Sequence, residues 1–258
     1  MKYSALIISL FFAAEAAAQT FEIKELYASG DSLDTERLCT LPALGLFELA
    51  GNTLIPLDGD KSVTFDSIEI PDSLDIDNAV AADGRIIFQS GNTLYSYGLS
   101  EMEFAQECVL DTYFFRIHPG HGEKIIITYS SGDEESHRIM EYDTVKDSVI
   151  PVISMEEETV DIAGASGWYI IATRGHIYEL EETEATLLLE SPEPINAMQV
   201  TPYGIFYCTD SKLCIACGDN EYIQCTDTGF ADILTDGDTL YLVSDDGAVY
   251  SLNPVSKS

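Results

Sequence analysis

Four side chains with oxygen donors, Asn78, Asp161, Asn196 and Asp232, recur just ahead of glycines spaced along the chain, with Cys39 and Arg116 at matching positions. Cys39, Asn78, Arg116 and Asp161 each stand six residues before such a glycine. Asn196 needs a two-residue insertion to fit this spacing, and Asp232 a one-residue deletion. If the segments converge, the two aspartates and two asparagines supply hard oxygen ligands of the kind calcium takes. Arg116 would then set a cation beside the metal. Without a metal, Asn78, Arg116, Asp161, Asn196 and Asp232 form a polar lining that touches a ligand, neighbouring segments or water.

Soft donors are clustered too. The chain has six cysteines, and Cys208, Cys214, Cys217 and Cys225 fall within one short region. Redox CxxC motifs sit at helix N-termini, which lower the thiol pKa, whereas "CIAC" here reads as a strand. A two-residue turn at Asp219-Asn220 would place Cys217 opposite Tyr222 and Cys214 opposite Cys225. Direct cross-strand neighbours are close enough to make Cys214–Cys225 a disulfide candidate, with Cys208 on the preceding strand competing for Cys214. His118 and His121 flank Pro119-Gly120, with Glu123 nearby, an incomplete set for zinc. His137 and His176 fall in or beside turns as ordinary surface residues. No G-x-S-x-G elbow, phosphate loop or H-E-x-x-H is present. "SDDGAVY", Ser244 to Tyr250, has a sialidase-like turn without the terminal Thr-Trp that accompanies it.

The elements that must position these residues are strands. Six glycines, Gly45, Gly84, Gly122, Gly167, Gly204 and Gly237, are 39, 38, 45, 37 and 33 residues apart. Each introduces an apolar strand: "LFEL", "RIIFQS", "IIITYS", "YIIATR", "IFYCTD" and "TLYLVS". A polar turn and a second strand follow, and a shorter segment precedes each glycine. A fourth strand candidate closes most repeats, as in "EFAQECVL" and "EYIQCTD". A hairpin cannot bury its own apolar face, so the copies must pack on one another. Four strands per repeat of about forty residues predicts an all-β, six-bladed β-propeller. The sixth repeat lacks its last strand, and "TFEIKELYA", Thr20 to Ala28, would supply it and remove two sheet edges. Trp168, the only tryptophan, falls in the second strand of the fourth repeat, where packing between blades is expected.

"NAVAADGRIIFQSGNTLYSYGL" and "ADILTDGDTLYLVSDDGAVYSLNP" resemble the blades of secreted NHL-, YVTN- and TolB-type propellers. The resemblance spans the mature chain and is one of fold. It implies a central channel lined by the first strand of each blade, with binding surfaces on the loop faces. The polar positions Asn78, Asp161, Asn196 and Asp232 are also similar to those of calcium-dependent six-bladed lactonases and esterases. The departures are Arg116 and the lack of a glutamate ligand near the mature start.

"MKYSALIISLFFAAEAAAQT" has the charged start, short apolar run and A-x-A end of a signal peptide over residues 1–18. Residues 19–258 are then one propeller domain, secreted or periplasmic. The net charge is −33, from 45 acidic and 12 basic residues, which repels phosphate backbones and anionic lipid. Nucleic acid and membrane insertion are therefore not expected, and a monomer is. "GDEES" and "MEEET" read as acidic loops. With no catalytic constellation assembled, the expectation is a non-enzymatic binding or scaffold module without a cofactor, recognising a protein or small ligand. A calcium-dependent hydrolase and an acidic, salt-adapted surface protein are the alternatives.

Overall fold

The computed structural model describes residues 21–28, 38–41, 45–57, 67–82, 84–112, 115–120, 122–130, 136–165, 168–181, 184–201, 203–218, 220–236 and 239–254. The expected signal peptide, His121, Gly167, Asp219, Gly237 and most of the "GDEES" run lie outside them. Among the described residues every helix or strand element is a strand. The chain opens with β1 (Phe21–Tyr27). Blade one follows as β2 (Leu38–Leu41), β3 (Gly45–Ala50), β4 (Thr53–Pro56) and β5 (Ile68–Glu69). Blade two is β6 (Asn78–Ala82), β7 (Arg85–Ser90), β8 (Thr93–Gly98) and β9 (Glu103–Val109). Blade three is β10 (Phe115–Pro119), β11 (Lys124–Ser130), β12 (His137–Asp143) and β13 (Ser148–Met155). Blade four is β14 (Thr159–Ala165), β15 (Trp168–Thr173), β16 (His176–Glu181) and β17 (Glu184–Glu190). Blade five is β18 (Ala197–Thr201), β19 (Gly204–Cys208), β20 (Leu213–Gly218) and β21 (Glu221–Thr226). Blade six adds β22 (Asp232–Thr235), β23 (Leu240–Val243) and β24 (Val249–Pro254).

Each blade is an antiparallel four-stranded sheet, and the sixth has the order β1-β24-β23-β22. This is a six-bladed β-propeller, with the N-terminal strand completing the last blade as its missing outer member. β1 runs antiparallel to β24 from Phe21↔Pro254 to Glu25↔Tyr250 before a bulge, so the edge of β24 is covered. The four described anchor glycines, Gly45, Gly84, Gly122 and Gly204, have φ of 111, 75, 64 and 138°. Side chains are disfavoured in that region, which is why glycine recurs at the entry to the second strand.

The sheets fall into two compact units, one holding blades one to three and the other β1 with blades four to six, β14 being divided between them. Within the first unit, alternation distributes one strand between two seams. Ile86 and Phe88 of β7 pack with Leu41, Phe47 and Leu54 of blade one. Ile87, between them in sequence, packs with Ile117, Ile125 and Tyr142 of blade three. In the second unit, Phe206 and Ile215 of blade five pack with Ile233, Leu242 and Leu252 of blade six. A strand packed on both sides must be apolar where it is enclosed, which accounts for runs such as Ile86–Phe88 and Ile125–Ile127. Burying each such side chain stabilises the fold by about 1.5–3 kcal/mol.

The outer strands face solvent, and five carry the same irregularity, which in β1 skips Leu26 between Glu25 and Tyr27. A register shift between Leu94 and Tyr95 leaves Glu107 of β9 without a partner residue. Equivalent shifts single out Val152 of β13, Leu188 of β17 and Cys225 of β21. A bulge at the exposed edge sharpens the local twist and makes the strand a poor template for another chain.

Candidate functional site

The polar residues expected to line a channel sit on or beside the first strands, in one repeated geometry. Asn78 begins β6, opposite Gln89, and Asp232 begins β22, opposite Val243. Asn78 Oδ1 accepts the backbone N–H of Ala79 at 2.7 Å, Asp161 Oδ1 that of Ile162 at 2.8 Å, and Asp232 Oδ1 that of Ile233 at 2.7 Å. The other end of the side chain reaches the next blade. Asn78 Nδ2 donates to the Ile117 carbonyl of β10 at 3.2 Å, and Asp161 Oδ2 accepts the Met198 N–H of β18 at 3.2 Å. Gln89 adds a second link from blade two, donating to the Phe115 carbonyl at 2.8 Å. These side chains join neighbouring blades and satisfy backbone groups where the strands begin.

Two members of the expected set stand elsewhere. The N–H groups of Asp77, Asn196 and Ala231 all bond to a carbonyl at or next to the end of the second strand, that of Gln89, Cys208 and Val243 respectively. Asn196 therefore matches Asp77 and Ala231, and Ala197 occupies the position equivalent to Asn78. The insertion needed to align Asn196 was a sign of this offset. Its Nδ2 donates to the Phe230 carbonyl in the loop before blade six at 3.1 Å and to Asp210 Oδ1 at 2.9 Å. Cys39 lies opposite Phe47 in the apolar seam with blade two, and burial pushes its thiol up to about 12. Arg116 is exposed on β10.

Calcium takes about 6–8 oxygen ligands. Both carboxylate oxygens of Asp161 and both polar ends of Asn78 are engaged with backbone groups. Among the described residues no group of three or more His, Cys, Asp and Glu side chains is arranged to hold a metal ion. His118 is buried, with Nε2 3.0 Å from Thr128 Oγ1. His137 Nδ1 lies 2.9 Å from Ser130 Oγ, and the His176 ring lies 5.7 Å from that of Tyr178.

A polar network not anticipated from sequence occupies the blade-five loops. Glu193 Oε1 pairs with Lys212 Nζ at 2.7 Å, while Oε2 accepts from Thr209 Oγ1 at 3.0 Å and Ser211 Oγ at 2.5 Å. Lys212 first, then the two hydroxyls, hold its carboxyl down at about 2. Phe230 N–H bonds to the Thr209 carbonyl at 3.2 Å, tying the same turn to the loop before blade six. Gly229 lies against this turn, where an added Cβ would fall 2.1 Å from the Asp210 carbonyl carbon.

The expected cross-strand cysteine register is corrected by paired bulges. Gly218↔Glu221 flank the expected turn, but Cys217 is then skipped and Ala216 pairs with Tyr222. The shift persists to Cys214↔Gln224, after which Cys225 is skipped. Gln224, not Cys225, therefore lies directly opposite Cys214. All six cysteines are free thiols. Trp168 is corrected too: it is 40% exposed rather than packed between blades, and its Nε1–H donates to Glu179 Oε1 at 2.9 Å. It faces Glu181 at the solvent end of β15, where an indole can keep its donor paired without being enclosed.

No family model matches the chain, and no curated protein matches it. Solved structures do share its fold. A protein of unknown function from Bacteroides thetaiotaomicron is 11% identical with a TM-score of 0.59, over 92% of this chain and 76% of that one. A chain of the nidogen/laminin complex is 13% identical at a TM-score of 0.58, over 77% and 84%. A chain of the mitotic checkpoint complex is 10% identical at 0.57, over 92% and 91%. Identities this low carry the propeller fold alone.

Proposed function

We propose that this chain is an exported, non-enzymatic propeller that binds a protein or small ligand through its loops. The observation that carries this reading is the engagement of Asn78, Asp161 and Asn196 in links between blades, which leaves the framework fixed and recognition to the loops. Two of the structural neighbours come from protein assemblies, the nidogen/laminin and mitotic checkpoint complexes, which is consistent with a scaffold role. Arg116, exposed on β10 in a chain of net charge −33, is the first-strand residue we assign to ligand contact. The carboxylate-rich surface disfavours nucleic acid and anionic lipid, while Arg116 offers a cation to an acidic group of the ligand. Export is read from the composition of the N-terminal segment, and the working protein is proposed to act outside the cytoplasm as a monomer.

The test is affinity capture from the extracytoplasmic fraction with the purified chain, followed by calorimetry of any captured partner against wild type and Arg116→Glu. Saturable binding weakened by Arg116→Glu supports the assignment. Calcium binding lost in both Asp161→Ala and Asp232→Ala, together with lactone or ester hydrolysis, would replace it with the hydrolase reading.

A further inference from the structure

Three thiols and two phenols gather on blade five. Tyr207 of β19 lies opposite Cys214 of β20, and its ring is 6.3 Å from that of Tyr222 on β21. Cys225 lies within electrostatic reach of both Cys214 and Cys217, and Tyr207 within reach of the same two thiols. The bulges concentrate the sulfurs. Cys217 and Cys225 are the skipped residues of their strands, and Cys225 directly follows Gln224, the partner of Cys214. The three differ in access: Cys214 is buried, Cys217 half-buried and Cys225 exposed on the outermost strand.

We propose that Cys225 is an exchange-competent thiol that closes reversibly onto Cys214 when the protein meets a small-molecule disulfide oxidant. In the first step the Cys225 thiolate attacks one oxidant sulfur, forming a mixed disulfide and releasing the other half as a thiolate. In the second, the Cys214 thiolate attacks the Cys225 sulfur, forming the protein disulfide and expelling the second half. Two protein thiols are oxidised, one oxidant disulfide is reduced to two thiols, and the two protein protons pass to those products or to solvent. Exposure selects Cys225 for the first step because the oxidant must reach it. Proximity selects Cys214 for the second, since its Cα partner is the residue adjacent to Cys225. An outer-strand bulge can adjust to the required sulfur geometry more readily than a regular ladder, which holds direct cross-strand pairs under strain. Cys225 is exposed as a residue, but desolvation of its sulfur pushes the thiol up to about 12, and burial raises Cys214 as well, so both attacks are slow at neutral pH and speed up as pH rises. The chemistry is independent of the proposed binding role, although export would supply the oxidising conditions.

The experiment treats the folded full chain with oxidised glutathione at about pH 8.5, quenches it with a maleimide and maps peptides without reduction. The expected result is a Cys214–Cys225 cross-link, with the denatured thiol count falling from six to four and returning with a dithiol reductant. Cys217→Ser should still close, whereas Cys214→Ser should retain glutathione on Cys225. Six surviving thiols, a persistent mixed disulfide on the wild type, or a Cys217–Cys225 link would each overturn the proposal. The wild-type map decides even if a serine variant does not fold.

Discussion

Asp161→Ala distinguishes a side chain that joins blades from one that awaits a metal. The carboxylate accepts two backbone N–H groups, Ile162 at 2.8 Å and Met198 at 3.2 Å. Hydrogen bonds to a charged group contribute about 1.5–3 kcal/mol each, and a buried donor left alone costs about 1–3 kcal/mol. Met198 is fully buried, so its N–H bears most of that cost. Asp161 is only half-buried, and water can replace part of the Ile162 bond. The expected loss is about 2–4 kcal/mol, which lowers a urea midpoint by about 1 M at a slope near 3 kcal/mol/M. Asp161→Asn keeps one good acceptor and should lose about half as much. The assay is urea unfolding followed by tryptophan fluorescence, in a chelator and again in millimolar calcium. The structure requires the same loss in both. A midpoint within about 0.2 M of wild type in chelator, with a deficit appearing only in calcium, would refute the reasoning and return Asp161 to a metal shell.

Three further outcomes follow from local geometry. Glu193 has its carboxyl held at about 2 against an ordinary 4.5, so its contribution is complete above about pH 4.5 and lost as pH falls towards 2. Glu193→Gln should therefore lower the urea midpoint at pH 6, and the gap from wild type should close over that acid window. Gly229→Ala would drive a Cβ to 2.1 Å from the Asp210 backbone, whereas at Gly175 nothing lies within 4 Å. The first should cost about 1–3 kcal/mol or more and the second should be nearly neutral, by paired thermal melts. Deleting the chain through Tyr27 uncovers the β24 edge, so light scattering should detect association absent from the intact protein.

Period-two runs of apolar residues and glycines at intervals of about forty were sufficient to read six sheets, their strand order and the return of the N-terminal strand to the last one. These features are local, or repeat often enough that errors in one copy are corrected by the others. A positive φ at Gly45, Gly84, Gly122 and Gly204 leaves the same mark in each of these four repeats. The placement of polar groups was less legible. Asn78, Asp161 and Asp232 were recognised as equivalent, but their partners Ile117 and Met198 belong to the next blade, about forty residues away, and contribute backbone atoms that carry no sequence signature. Asn196 and the cysteine hairpin were misregistered for a related reason. A one-residue bulge or offset costs the chain little locally, yet moves every side chain beyond it to a different partner. The sequence alone therefore determined the blades, because burial periodicity is written residue by residue. Which polar side chain meets which backbone, and that Cys225 stands beside Gln224 rather than opposite Cys214, were decided only by packing between strands and blades.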